Sequence, residues 1–374
     1  MKKSNFSLKT LSFTILIGSL LGKSAVWAGE LGYGFKTDLV AGMYIVEAQI
    51  IVGYRQDDSS QALVAFARAL GGTVKREIPG SRGAVLLNFG SEAQVRAVVL
   101  KLVKHPDVLF VERNGIMRIP PQPQLPNLRK QGLKGVGDTR GQGMNINAVS
   151  ADPGTGFQYY LTTIRKTAAL PPLSATPPTV AVIDTGVDYT HPDLCCYSTY
   201  PSSTGKVILG KNTVANNMNP FDDNGHGTHV AGIIAAKAGN AAYGEGVCPN
   251  CKILVIKVMS SDGSGTFFDI ADGMAFARTA VTNPPTKVVN MSLGGPDSAL
   301  ISTQVDLLKA ANKVLVAAAG NGNTTSKTYA FPGADPDTAL RVMATEQHDC
   351  RAWFSNFSPA TALIIISARR WLPQ

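Results

Sequence analysis

The sequence predicts a two-part α/β protein: a small α+β unit, then a doubly wound domain with a mostly parallel sheet. Three observations lead there. From Thr179 onward, unbroken apolar runs alternate with segments of helical periodicity, as strands covered on both faces do. Three of those runs pass directly into Asp, Ser-Leu-Gly-Gly or Gly-Asn-Gly, the composition of a crevice beyond the carboxyl ends of parallel strands. Residues 43–113 read in the order βαββαβ, the split βαβ arrangement. A chain of 374 residues accommodates two domains at roughly 150 residues each. With 44% apolar and 16% charged residues it can bury a large core, which excludes wholesale disorder.

The elements follow in chain order. Lys2, Lys3 and Lys9 precede the apolar run Leu11 to Leu21, and Val26-Trp27-Ala28 supplies small residues for a cut after Ala28. Residues 1–28 therefore read as a secretory signal, and the protein is expected to be secreted and extracellular. The run is too short to span a bilayer and no later stretch reaches that length, so no stable membrane association is expected. Tyr44 to Tyr54 is a β-branched strand, and Ser59 to Leu70 is a helix stopped by Gly71-Gly72. Thr73 to Ile78 and Ala84 to Phe89 are strands flanking a Pro-Gly-Ser-Arg-Gly turn. Ser91 with Gln94 opens a second helix through a capping box, Pro106 follows it, and Val108 to Glu112 is the last strand of the unit.

Pro120, Pro121, Pro123 and Pro126 open an exposed linker over 119–150. A second Pro-rich stretch, Pro171 to Pro178, leads into the larger domain. Its strands are expected at Val180–Ile183, Ile253–Val258, Val288–Leu293 and Val314–Ala318, its helices at Gly227–Ala238, Phe268–Thr282 and Ala299–Ala311.

Lys plus Arg is 35 against 26 for Asp plus Glu, a net +9 with no block of five like charges. That is a solvated cationic surface and not a nucleic-acid groove. Five cysteines, Cys195, Cys196, Cys248, Cys251 and Cys350, leave one thiol over if disulfides form. Cys248-Pro-Asn-Cys251 lacks a second pair at zinc spacing, and the adjacent Cys195 and Cys196 are poor joint ligands for one tetrahedral ion. A structural disulfide is the expectation over zinc.

The chemistry concentrates at four places. Asp184 ends a strand and is followed by Thr185-Gly186. His226 sits in Asp223-Asn-Gly-His-Gly-Thr-His229 before an Ala/Ile-rich helix. Ser292-Leu293-Gly294-Gly295 and Gly320-Asn321-Gly322 follow two further strands. Singly, each reads as a turn, a cap or a loop histidine. Together and in this order they resemble the subtilisin-like serine proteases. Val180-Ala-Val-Ile-Asp-Thr-Gly-Val-Asp with His191-Pro-Asp-Leu194 resembles the family's aspartate segment, and Asn224-Gly-His-Gly-Thr-His-Val-Ala-Gly232 its histidine segment. Val289-Asn-Met-Ser-Leu-Gly-Gly295 resembles its substrate-binding strand, and Ala317-Ala-Ala-Gly-Asn321 the segment with its oxyanion asparagine.

The resemblance implies the family fold, with 29–118 as an inhibitory pro-region and 151–374 as a peptidase domain. It makes His226 the general base, Asp184 its orienting carboxylate and Asn321 the oxyanion donor. Gly263-Ser264-Gly265 and Ser292-Leu293-Gly294 become the edges that pair with an extended peptide. Asp193 matches a family ligand of structural calcium, Asn240 sits in a loop resembling the family's calcium loop, and no catalytic cofactor is implied. The implied partners are protein or peptide substrates and the chain's own pro-region, with the protein a monomer.

One part of the pattern is missing. No Gly-Thr-Ser-Met-Ala segment occurs, and Ser326, Ser355, Ser358 and Ser367 are not credible substitutes for its nucleophile. After Thr361 the sequence leaves the family pattern, so a frameshift or premature stop near Ala362 is expected, with an incomplete, inactive and poorly soluble peptidase domain. An aspartic protease would need two Asp-Thr-Gly turns in an all-β fold, and only one is present in an α/β pattern. The alternative is a non-catalytic binding or inhibitor protein acting through residues 43–113.

Overall fold

A computed structural model of the chain describes residues 35–38, 43–56, 59–119, 152–164, 166, 178–325, 331–335, 337–338, 340–346, 350–357 and 364–365. The expected signal segment, the linker beyond Ile119, most of the second Pro-rich stretch and most residues after Phe357 lie outside them.

The first unit contains β1 (Phe35–Asp38), β2 (Met43–Tyr54), α1 (Ser59–Ala69), β3 (Thr73–Ile78), β4 (Ala84–Asn88), α2 (Glu92–Leu102) and β5 (Val108–Arg118). The βαββαβ order is found, with β1 added in front and antiparallel to β2. α2 begins where Ser91 Oγ accepts a hydrogen bond from Gln94 N at 3.3 Å. The sheet is antiparallel, in the order β5-β2-β4-β3. One face packs Ile50, Val52, Tyr54, Val85 and Leu87 against Leu63 and Ala67 of α1 and Val95, Val99 and Leu102 of α2. Each fully buried aliphatic side chain of this kind contributes about 1.5–3 kcal/mol.

The larger domain carries α3 (Tyr159–Thr163), β6 (Thr179–Asp184), β7 (Tyr197–Thr199), β8 (Val207–Asn212), α4 (His226–Ala235), β9 (Lys252–Lys257) and β10 (Ser264–Thr266). It continues with α5 (Phe267–Thr279), β11 (Thr286–Met291), α6 (Ala299–Ala310), β12 (Val314–Ala318), β13 (Leu340–Met343) and β14 (Ile364–Ile365). Eight strands form one sheet in the order β14-β13-β12-β11-β6-β9-β8-β7, every neighbouring pair parallel. Alternation along β6 covers both faces. Val180 and Val182 pack with Ala231 and Ala235 of α4, whereas Ala181 and Ile183 join the core under α5 and α6.

The structure corrects several bounds. α5 stops at Thr279, short of Thr282, because the chain turns extended at Ala280 on its way to Asn283-Pro284. β8 was not foreseen, since Gly210 and Lys211 interrupt its apolar run. Gly210 is needed there: a Cβ would lie 2.5 Å from Val255 O on the neighbouring strand. β5 runs on to Arg118, well past Glu112. Part of its polar middle belongs to an interface: Glu112 and Asn114 are buried towards the larger domain, whereas Arg113, on the opposite face, donates to Glu92 of α2.

That interface joins the two units. β10 of the larger domain pairs antiparallel with β5, matching Ser264 with Arg118, Gly265 with Met117 and Thr266 with Ile116. The second face of the small sheet, through Met43, Ile45, Ile51, Leu86, Phe110 and Met117, merges into one apolar cluster with Phe267, Phe268, Ile270, Ile301 and Val305. Glu112 caps α6: its Oε1 accepts from Ser298 Oγ and Leu300 N, both at 2.9 Å, and its Oε2 from Ala299 N at 3.0 Å. Arg76 of β3 donates to Asp269 and Asp272 of α5 and lies over the Phe268 ring.

Candidate active site

All strands of the large sheet point the same way, so their carboxyl ends share one rim. Asp184 ends β6, Ser292 and Gly294 follow β11, Asn321 follows β12 and Gly263 follows β9. Asp184 is fully buried and its Oδ1 lies 2.7 Å from His226 Nδ1. The same oxygen accepts from Thr185 N at 2.7 Å. His226 is the first residue of α4, behind Gly225 in a left-handed conformation (φ +100°) that favours glycine. Gly227 allows the helix to meet the aspartate loop, since a Cβ there would sit 2.1 Å from Gly186 O.

Asp222, not singled out in the sequence, ties the two loops together. Its Oδ1 accepts from Thr185 Oγ1 (2.8 Å), Asn224 N (3.0 Å) and Gly225 N (3.0 Å). Its Oδ2 accepts from Thr228 N (2.9 Å) and Thr228 Oγ1 (2.5 Å). Thr185 Oγ1 in turn accepts from Gly227 N at 2.9 Å. Burial opposes the charge on Asp222, but the Thr228 hydroxyl and the backbone N–H groups outweigh it and hold its pKa below the usual value. An Asp two residues before Asn-Gly-His, at capping distance from Thr228, was the available sequence signal. The adjacent Asp223 obscured it.

The His226 ring is mostly enclosed. Burial works against its protonation, yet the Asp184 hydrogen bond and charge, with the Asp222 charge, raise its pKa above the ordinary 6.5. With Nδ1 committed to Asp184, Nε2 is left for the open side of the ring. Asn321 stands on the same rim, two strands along from β6, in a turn set by Gly320 (φ +96°). Asn356, also missed in the sequence, braces that turn. Its Oδ1 accepts from Gly322 N at 2.8 Å and Thr324 N at 3.1 Å, its Nδ2 donates to Ala319 O at 2.9 Å, and its N donates to Gly320 O at 2.8 Å.

A cleft runs between the two edges named from the sequence, and the chain's own β5 fills it. Arg118 N donates to Gly294 O (3.1 Å), Gly294 N to Arg118 O (3.3 Å) and Ile119 N to Gly263 O (2.9 Å). Ser264 and Gly265 pair with Arg118 and Met117. Met117 is fully buried against Gly295, where a Cβ would lie 2.7 Å from Met117 Cγ. Leu293 is buried below, and Ser292 Oγ accepts from Asn290 Nδ2 at 3.0 Å. Among the described residues Ser292 and Leu293 make no backbone pair with this segment.

The two expected calcium residues meet, and a third joins them. Asn240 Nδ2 donates to Asp193 Oδ1 at 2.9 Å. Asp152 accepts from Gly239 N (2.7 Å) and Ala241 N (2.8 Å) on either side of Asn240. Burial raises the pKa of Asp193, and the nearby Asp152 charge adds to that against its hydrogen bonds. Asp152, Asp193 and Asn240 thus come together from three separate segments of the chain. Among the described residues no group of three or more His, Cys, Asp or Glu side chains could hold a metal ion. Cys248 and Cys251 form a disulfide.

The Subtilase family model matches residues 176–369, and the Fervidolysin N-terminal prodomain model matches residues 38–114. A thermophilic serine proteinase of Bacillus sp. (strain AK1) is 42% identical over 48% of this chain and 41% of its own length. Thermitase of Thermoactinomyces vulgaris is 36% identical over 48% of this chain and 58% of its own. Subtilisin DY of Bacillus licheniformis is 39% identical over 47% and 60%. The chain thus spans about half the length of these relatives. A crystal structure of a cold adapted subtilisin-like serine proteinase aligns over 50% of this chain and 62% of its own, with 32% identity and a TM-score of 0.42.

Proposed function

Because the chain belongs to the subtilase family, we propose that it is built as the precursor of a secreted subtilisin-like serine endopeptidase. The observation that carries this reading is the Asp184–His226 pair, 2.7 Å apart, on the rim beside a cleft that already holds an extended peptide between Gly263 and Gly294. His226 Nε2 takes the proton of the attacking hydroxyl and later delivers it to the leaving amine, while Asp184 fixes the tautomer and stabilises the imidazolium. The Asn321 side chain donates to the oxygen that becomes negative in the tetrahedral intermediate, and losing such a donor costs about 2.7–4 kcal/mol. Residues 116–119 hold the cleft as an intramolecular inhibitor. Asp152, Asp193 and Asn240 would hold a structural Ca²⁺, their oxygens being the hard donors that ion takes, and it would supply stability and no catalytic chemistry. We take the active form to be a monomer acting on protein or peptide substrates.

We further propose that these 374 residues hold no nucleophile, since no Gly-Thr-Ser-Met-Ala segment occurs in them. The polypeptide as it stands is therefore expected to release no peptide from casein and to leave its own residues 29–118 uncut. The test grafts the serine-bearing portion of thermitase after Thr361 and confirms folding by near-ultraviolet circular dichroism. The graft is expected to hydrolyse casein, and H226A is expected to abolish that activity. A folded graft with no activity, or one indifferent to H226A, overturns the reading. Casein hydrolysis by the ungrafted chain overturns its inactivity.

A further inference from the structure

Three cysteines remain outside the Cys248–Cys251 disulfide, and two of them are held side by side at the start of β7. Cys195 Sγ and Cys196 Sγ are 3.5 Å apart. Cys196 is exposed and Cys195 is partly covered. The backbone carrying them is pinned on both sides. Cys195 N donates to His191 O at 2.9 Å, and Cys196 O accepts from Lys206 N at 2.8 Å and Val207 N at 3.2 Å. Lys237 Nζ, just beyond α4, lies 3.3 Å from Cys195 Sγ. Neither sulfur has a role in the cleft.

We propose that Cys195 and Cys196 form a thiol–disulfide exchange site, which a small external disulfide oxidises to a reversible bond between the two neighbours. Cys196 Sγ, the exposed sulfur, attacks one sulfur of the reagent R–S–S–R, forms a mixed disulfide and releases one RSH. Cys195 Sγ then attacks Cys196 Sγ, closes the protein disulfide and releases the second RSH. The two cysteine protons end on the two released thiols, and the two electrons given up by the cysteines reduce the reagent. The second step is intramolecular between sulfurs already near contact, so it outruns capture by a second reagent molecule. Adjacent Cα atoms are at most about 3.8 Å apart, short of the usual disulfide window of about 4.4–6.8 Å, so the closed bond is strained and easily reduced. This marks the pair as a labile site, in contrast to Cys248–Cys251, where Cys251 is buried and the Cα atoms are 5.3 Å apart.

The experiment treats the full chain with oxidised glutathione, alkylates it with iodoacetamide and maps the products by peptide mass spectrometry. The expected result is loss of both alkylatable thiols at 195 and 196, no glutathione retained there, and return of both thiols in dithiothreitol before Cys248–Cys251 opens. In Cys195→Ser the reaction is expected to stop with one glutathione on Cys196. Three wild-type outcomes would overturn the proposal: a persistent glutathione on Cys196, two thiols still alkylatable, or Cys196 joined to Cys350. The wild-type readout decides the matter even where C195S does not fold.

Discussion

Glu112 gives the sharpest test of how the two units are joined. Burial raises its pKa from 4.5 to about 7, against the lowering effect of the donors from Leu300, Ser298 and Ala299. Between those values the folded chain keeps a proton that the unfolded chain has lost. The stabilisation is therefore complete below pH 4.5 and is lost as pH rises through about 7. At 1.36 kcal/mol per pH unit the difference is about 3 kcal/mol, near 6 °C in Tm at about 2 °C per kcal/mol. The assay is thermal unfolding of wild type and Glu112→Gln at pH 4, 6 and 8, read as the difference between the two chains so that other groups cancel. Wild type is expected to lose about 3 kcal/mol relative to E112Q between pH 4 and pH 8. If the three donors outweighed burial, the ionised form would be the favoured one and wild type would gain on E112Q as pH rises. A flat or rising difference refutes the reasoning.

Other consequences are open to direct measurement. Asp184→Asn removes the hydrogen bond and charge that hold the His226 proton, so the His226 imidazole, followed by NMR, is expected to titrate at lower pH than in wild type. A downward move in D184N is the required sign, and no move would show that Asp184 does not hold the His226 proton. Calcium at about 100 times its Kd is expected to add about 2.7 kcal/mol to stability in urea. Asp193→Asn is expected to erase that gain. Asn356→Ala removes its bonds to Gly322 N, Thr324 N and Ala319 O, and the buried loss at Ala319 O costs about 1–3 kcal/mol. Hydrogen exchange is expected to quicken selectively at the Gly322 and Thr324 amides, ahead of the β6 and β9 amides.

Much of this was legible wherever function and local pattern coincide. Asp184 and His226 could be read because each adjoins a strong signal, a strand end in one case and a Gly-flanked helix start in the other. The split βαβ unit was legible because its strands are β-branched and its helices stop at Gly71-Gly72 and Pro106. What escaped depends on neighbours far along the chain. Glu112 and Asn114 look like a strand terminus, and only the approach of α6 and α5 makes them interior groups. Asp152 approaches Asn240 from 88 positions away, reaching Gly239 and Ala241, and no spacing rule connects them. Asn356 does its work on a turn more than thirty positions earlier. In each case a polar group is satisfied by a backbone that periodicity does not place.

The apolar cluster that runs from Met43 and Phe110 to Phe268 and Val305 has a practical corollary. Cutting the polypeptide after Ile119 would sever the covalent tie without giving two independent bodies. The fragments would travel together through a sizing column and part only in denaturant. Each, once parted, would present a greasy flank to water and tend to clump. For this chain, proteolytic nicking and dissociation are separate events, and a gel band alone reports only the first.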